Sequence, residues 1–326
     1  MVIVKAPFRI SLFGGGTDFP DFFNNYTGYT LSFAIDKYCY IQMRELKHHQ
    51  SNYKYEIITH NMELENDINK ISNPVIRECL RKYNIENVRV VYDADLPSRS
   101  GLGTSSSLAV AMIKACRIYT NKEDEDSIDN LSIAKEAIDL ERNILKEAGG
   151  YQDQIIAALG GFKLIEYYKE NNFKILEEIE NQKFINNLML FDTGINRYSF
   201  IIQKDVIKNF DNNYNKLNRI KSITKEAYKN IINNEDDINI GKMLDSVWEN
   251  KKKLSNKISN NAIDEMYKIA KDNGALGGKI LGAGGGGYLL LYVTEENKSK
   301  VRKALKDFDE ILFKVSNIGV KEIEIC

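Results

Sequence analysis

The sequence predicts an α+β protein whose two domains face each other across a cleft, and three observations lead there. The chain has 326 residues, too many for one ordinary core. Strand-like and helical stretches are intermixed in both halves. A polar, Glu/Asn-rich stretch from about Glu177 to Lys183 separates those halves, which sets the expected domains at 1–180 and 181–326.

The first half opens with a strand at Val2 to Lys5 (VIVK), continues with a long run from Leu31 to Leu46, and adds Tyr55 to Ile58 and Val88 to Asp93. All are rich in β-branched and aromatic residues. One helix follows the Gly/Ser loop at Ser100 to Ser107, and a second runs from about Leu131 to Lys146, each with the apolar spacing of a half-buried helix. In the second half, Leu188 to Asp192 (LMLFD) reads as a strand. Ser199 to about Asn273 is helical in pattern, and its Lys/Asn richness reads as solvated surface. A glycine-rich segment then leads into a strand at Tyr288 to Val293 (YLLLYV), a helix around Glu296 to Asp307 and a terminal strand.

Composition narrows the function. With 28% charged residues, 43% hydrophobic residues and a formal charge of −1, the chain has no bulk attraction to nucleic acid or anionic membrane. Cys39, Cys79, Cys116 and Cys326 stand far apart without CxxC spacing, against a zinc site and a disulfide framework. The start, MVIVKAPFRISLFGGG, lacks the long apolar region of an export signal, and the run from Tyr288 to Val293 is far short of the roughly 20 residues that span a bilayer. The expected setting is the reducing cytoplasm, with no membrane or nucleic-acid partner.

Chemistry concentrates in three glycine loops. Pro97 to Leu108 (PSRSGLGTSSSL) runs straight into a helical pattern. A helix start presents free N–H groups and the positive end of the dipole, so this loop is either an anion site or a serine N-cap after a flexible turn. It is not a Walker A loop, since no GxxxxGK[ST] occurs. Gly282 to Gly287 (GAGGGG) satisfies GxGxxG literally but precedes a strand, where a dinucleotide fingerprint would open a helix; it is read as a loop pressed against another backbone or a ligand. Ile10 to Asp18 (ISLFGGGTD) puts three glycines, Thr17 and Asp18 after the first strand, with Arg9 just before. A cleft lined by such loops suits a phosphorylated ligand.

In order, these segments resemble the three motifs of the GHMP kinases: PSRSGLGTSSSLAVA the nucleotide phosphate loop, LGAGGGG the C-terminal glycine motif, and Arg9 to Asp18 the N-terminal substrate motif. The resemblance spans essentially the whole chain. It implies a ribosomal-protein-S5-like first domain and a ferredoxin-like second domain with the active site between them, and ATP and Mg²⁺ as cofactors. The ATP phosphates would lie on Ser100, Gly101, Leu102, Gly103, Thr104, Ser105, Ser106 and Ser107. FGGGTD, GGYQDQ and DTGINRYS most resemble the D-glycero-D-manno-heptose 7-phosphate kinases of bacterial surface-polysaccharide synthesis. That similarity implies transfer to the anomeric hydroxyl of a heptose 7-phosphate, giving the 1,7-bisphosphate. A fucose-type kinase of the same family and a non-catalytic sugar- and nucleotide-binding relative are the alternatives.

Phosphoryl transfer needs a metal, donors on the transferring oxygens and a group to orient or deprotonate the acceptor. His48, His49 and His60 lie in a polar stretch and are read as surface residues. Helical spacing puts Glu141 on the apolar stripe of Ala134, Ala137, Ile138, Ile144 and Leu145, so its carboxylate needs a partner: a Lys or Arg, water at the core's edge, or a metal. By resemblance it is a magnesium ligand together with Ser106. Asp153, in GGYQDQ, is either an N-cap or, as the resemblance implies, the general base or electrostatic anchor for the acceptor hydroxyl, with Arg9 between donor and acceptor. The resemblance extends the acceptor site to Gly15, Gly16, Thr17, Asp18, Gly150, Thr193, Arg197, Gly284 and Gly285, with Arg197 either suited to a substrate phosphate or exposed at the surface. Arg99 stands in the phosphate loop where this family often has a small residue, and no role is assigned to it.

Overall fold

The computed structural model describes residues 1–47, 52–98, 100–121, 128–195, 199–234 and 237–324. In chain order the first half comprises β1 (Val2–Phe13), α1 (Pro20–Tyr26), β2 (Gly28–Glu45), β3 (Tyr55–Ile58), β4 (Met62–Glu65), α2 (Pro74–Lys82), β5 (Val88–Ala94), α3 (Thr104–Asn121), α4 (Asn130–Asp139), α5 (Gln152–Leu159), β6 (Phe162–Tyr168) and β7 (Asn172–Glu178). The second half holds α6 (Gln182–Asn186), β8 (Leu188–Asp192), α7 (Ser199–Lys208), α8 (Phe210–Ile232), α9 (Asp237–Lys252), α10 (Asn261–Asp272), β9 (Gly277–Ile280), β10 (Tyr288–Tyr292), α11 (Glu295–Ala304) and β11 (Lys321–Glu322).

The long strand β2 is the spine of the first sheet. It pairs with β1 along its length, with β6 through Gly28–Phe33 and with β5 through Cys39–Glu45, all antiparallel. β1 outruns the strand expected at Val2 to Lys5. Proline cannot donate to a ladder, and the register shifts between Pro7 and Arg9, after which the strand continues. The same shift sends the Arg9 amide to Leu102 O, 3.0 Å away in the phosphate loop. β8, β10 and β9 form a second, antiparallel sheet.

β10 explains its own unbroken apolar run. Tyr288, Leu290 and Tyr292 join the first core, with α8 and α9, while Leu289 and Leu291 alternate into the second core beside Trp248. The break expected after residue 180 falls between β7 and α6, yet the closing segment returns to the first sheet, where β11 pairs with β1 at Val4 and Lys5.

The helix expected from Leu131 to Lys146 divides. α4 ends at Asp139, and Leu140–Ile144 forms one π turn closed by Leu145 N donating to Leu140 O at 2.9 Å. The wider turn shifts the stripe: Glu141 is buried, while Ile144, expected on the apolar face, is exposed. Such turns occur often at functional positions. Cys39, Cys79 and Cys116 are free and buried. Among the described residues no helix is long and apolar enough to cross a membrane.

Candidate active site

The phosphate loop ends on α3, where Ser107 N donates to Gly103 O at 2.9 Å. The amides just ahead of it, from Thr104 to Ser106, open the helix and have no intrahelical partner. Not every hydroxyl is available to a ligand. Ser107 Oγ is spent on Pro7 O (2.8 Å) and Gly103 O (3.1 Å), and Leu102 is fully buried. Ser105 is exposed, and the buried Ser100 Oγ has no partner among the described residues.

Arg9 ties this loop to Asp153. Its Nε and Nη2 reach Asp153 Oδ1 and Oδ2 at 2.7 and 2.6 Å, while Nη1 donates to Gly101 O at 2.6 Å. The bidentate geometry fixes the carboxylate plane. Asp153 is not an N-cap: Tyr151 holds that position, without a side-chain cap bond, and Asp153 sits in the first turn of α5. Arg9 is 4% exposed and the Asp153 side chain 26%, so the pair opens on the carboxylate side. It opens onto a cavity lined by Arg9, Ser11, Gly15, Gly16, Asp18, Gly150, Gln152 and Asp153 from the first half, and by Ile202, Val206, Ile220, Val247, Lys251, Lys279 and Gly282 from the second.

Asp18 lies on the floor of that cavity. It accepts from Gly16 N at 2.9 Å and from Gln152 through its backbone N (3.3 Å) and Nε2 (3.2 Å). Burial, and then the charge of Asp153, push its carboxyl above the usual range. A Cβ on Gly150 would stand 1.8 Å from Asp18 Oδ2, so only glycine allows this approach. Thr17 is part of the loop's frame: its hydroxyl donates to Gly14 O and Tyr29 O, and it does not line the cavity. Thr193 likewise spends its hydroxyl on Gly287 O at 2.7 Å.

The C-terminal glycine run meets other backbones. A Cβ on Gly284 would strike Ile258, one on Gly285 would strike Ile202 and Lys257 O, and one on Gly287 would strike Ser100 O. Tyr288 N also donates to Ser100 O at 3.2 Å, so the run braces the phosphate loop, and the cavity touches Gly282 and Ala283 instead. Arg197 and Arg99 lie outside the described residues, as do His48 and His49; His60 is exposed.

Glu141 stands on the other side of α5. It is fully buried and accepts from Ser106 Oγ at 3.1 and 2.9 Å, from Arg142 Nη2 at 3.2 Å and from Gln154 Nε2. Burial raises its carboxyl to about 7, against the opposing pull of Arg142 and the two hydrogen bonds. A buried carboxylate and a serine hydroxyl whose proton can rotate away form a hard-oxygen set that fits magnesium, which takes one or two carboxylates and fills its octahedron with water and phosphate, and the Gln154 Oε1 beside them has no partner among the described residues. Among the described residues no three His, Cys, Asp or Glu cluster as a metal site.

Sequence reasoning missed Gln152, Lys251 and Lys279. Lys279 is 2% exposed and donates to Ser11 O (2.9 Å) and Leu12 O (3.0 Å), joining β9 to the end of β1. Burial, and then Arg9, bring its amine down to about 7. Lys251 donates to Ile280 O and Gly282 O at 2.8 and 2.6 Å. One signal was present: Lys279 stands alone among small and apolar residues in GGKILGAGGGG.

A loop-headed helix beside a two-sided cleft, with paired carboxylates and a hard-oxygen set, defines a small-molecule phosphotransferase. The model of the GHMP kinases N terminal domain matches residues 69–161, and that of the GHMP kinases C terminal domain residues 227–310. The D-glycero-alpha-D-manno-heptose 7-phosphate kinase of Campylobacter jejuni is 30% identical over 93% of this chain and 92% of its own. The mevalonate kinase of Methanocaldococcus jannaschii is 27% identical over 96% and 98%. Among solved structures, a D-glycero-D-manno-heptose 1-phosphate kinase from Bacteroides thetaiotaomicron superposes with a TM-score of 0.80 over 100% of both chains at 22% identity, a likeness of fold. The chain belongs to the GHMP kinase family and has its two-domain fold; it is an ATP-dependent sugar kinase.

Proposed function

We propose that this kinase transfers the γ-phosphoryl group of ATP to the anomeric hydroxyl of D-glycero-D-manno-heptose 7-phosphate, for nucleotide-activated heptose used in surface polysaccharides. The observation that carries the reading is the Arg9 bridge, which touches the phosphate loop at Gly101 O and holds Asp153 at the mouth of the acceptor cavity. The relative from Campylobacter jejuni supports the choice of acceptor.

In this mechanism Asp153 accepts the proton of the acceptor hydroxyl as that oxygen bonds to the γ-phosphorus and the bond to the β–γ bridging oxygen breaks, releasing ADP. Arg9 sits between donor and acceptor, where its charge opposes the negative charge that develops. Loop amides from Ser100 to Ser106 hold the phosphates, and Asp18 and Gln152 orient ring hydroxyls. Glu141 and Ser106 would hold magnesium, which would neutralise polyphosphate charge.

A coupled ADP-release assay against phosphorylated and unphosphorylated heptoses and hexoses tests the acceptor. Heptose 7-phosphate should exceed every other sugar in kcat/KM, and heptose without its phosphate by roughly 10⁴-fold, the scale on which a site built to hydrogen-bond a polar group rejects analogues lacking it. Faster turnover of fucose, or of heptose without its phosphate, would replace this acceptor.

A further inference from the structure

We infer that Gln154 is a positioning residue: its amide N–H holds Glu141 in line for the metal, and its free oxygen takes a donor that arrives only with the metal. The inference rests on the reading of Glu141 as a magnesium ligand.

Gln154 is fully buried on α5. Its Nε2 donates to Glu141 Oε2, while Oε1 is buried with no partner among the described residues. The orientation follows for the ionised Glu141 that a metal requires, because a carboxylate accepts and only the nitrogen of the amide can donate to it. A buried amide oxygen without a partner is uncommon in folded proteins and calls for an explanation. Magnesium supplies one, since it keeps several of its waters, each an O–H donor, when bound by one or two protein oxygens. Groups that hydrogen-bond a ligating carboxylate also set its direction and its affinity.

The place of Gln154 in the chain gives this a consequence. Asp153 and Gln154 are consecutive, so the helix turns them about 100° apart, one toward Arg9 and the acceptor cavity, the other toward Glu141 and Ser106. The first turn of α5 therefore aims the acceptor-side carboxylate and the metal-side carboxylate as one rigid piece.

The test measures Mn²⁺ binding by electron paramagnetic resonance, using the full chain with a non-hydrolysable ATP analogue. Gln154→Met keeps the volume and removes both polar atoms. It should raise the Mn²⁺ dissociation constant by about 10- to 100-fold and leave the acceptor KM within a few-fold. The melting temperature of the metal-free protein carries two opposed effects, loss of the donor to Glu141 and removal of the orphan oxygen, so Mn²⁺ affinity is the deciding readout. A lower melting temperature with unchanged Mn²⁺ affinity would make Gln154 a packing residue and overturn the inference. Gln154→Asn, which keeps an amide but withdraws it by one methylene, must show the same rise in dissociation constant; its failure to do so overturns the inference even where Gln154→Met does not fold. Glu141→Gln separates the layers. If it leaves Mn²⁺ affinity unchanged, the metal assignment falls and the inference with it. If it weakens Mn²⁺ and the Gln154 variants do not, the inference alone falls.

Discussion

Asp153 and Glu141 sit on either side of the first turn of α5, and the fold treats these two carboxylates in opposite ways. Asp153 is paired with a guanidinium and left partly open to the cavity. Glu141 is sealed from solvent, its donors include two neutral side chains, and burial raises it to about 7. On the proposed function, the first arrangement keeps a base in place while a substrate comes and goes. The second leaves a carboxylate whose burial Arg142 at 3.2 Å and two neutral donors offset only in part, so that a metal cation beside it would stabilise it further. On the proposed function one helix start separates proton handling from charge neutralisation, and substitutions on each side should fail in different ways.

The largest effect is expected where one substitution damages both sides. Gly103 has φ +73, and a Cβ there would meet Arg9 Cγ at 3.2 Å and Asp153 Oδ2 at 3.3 Å. Gly103→Val puts a branched side chain into a left-handed position, so calorimetry should find no measurable ATP binding. Unaltered affinity would mean that this loop does not carry the nucleotide.

Glu141→Gln should act on the metal side alone. Loss of the charged ligand should lower kcat/KM for Mg-ATP by roughly 100-fold, the weight of several kcal/mol of charge stabilisation. The fold should not suffer. A carboxyl raised in the folded state stabilises the protein while protonated and loses that stabilisation as pH climbs from 4.5 toward 7, so the metal-free Gln variant should melt no lower than the parent at pH 8. Activity at unchanged magnesium dependence would sink the metal role.

The smallest effect belongs to Lys279, which borders the acceptor side. Its amine is lowered from 10.5 to about 7 in the folded chain. Above pH 7 the unfolded chain therefore binds the extra proton, and stability rises with pH. Between pH 7 and 9 this gain is about 2 kcal/mol by chemical denaturation. Lys279→Met should lower the overall stability, since two hydrogen bonds to β1 are lost, and flatten that rise. A parent-like slope would place the titration elsewhere.

The same contrast marks what could be read in the sequence. Glycine spacing is local, so the phosphate loop, the Gly14–Asp18 turn and the break before Asp153 were visible as motifs. Glu141 betrayed itself by standing on an apolar stripe, although the π turn that buries it and exposes Ile144 leaves no mark in the periodicity. The partners that give these residues their properties come from far along the chain. Lys279 meets Ser11 and Leu12 across the two sheets, Gln152 meets Asp18 and Ser32, and no spacing rule connects such positions. The fold was legible through many of its strands and helices, but β4, β6, β7 and β9 were not read, β1 proved longer than Val2 to Lys5, and β11 returned to the first sheet.

The central claim is that Asp153 serves the acceptor hydroxyl, and turnover by Asp153→Asn tests it most directly. The amide keeps the shape and one acceptor but loses the charge, so kcat should fall by roughly 10²- to 10⁴-fold while ATP affinity is largely retained. Because Arg9 is buried and loses its counter-ion, the melting temperature should also drop. The rate is therefore to be measured well below that temperature, on protein whose nucleotide binding has been verified. A variant that binds ATP and still turns over heptose 7-phosphate within a few-fold of the parent would contradict the account.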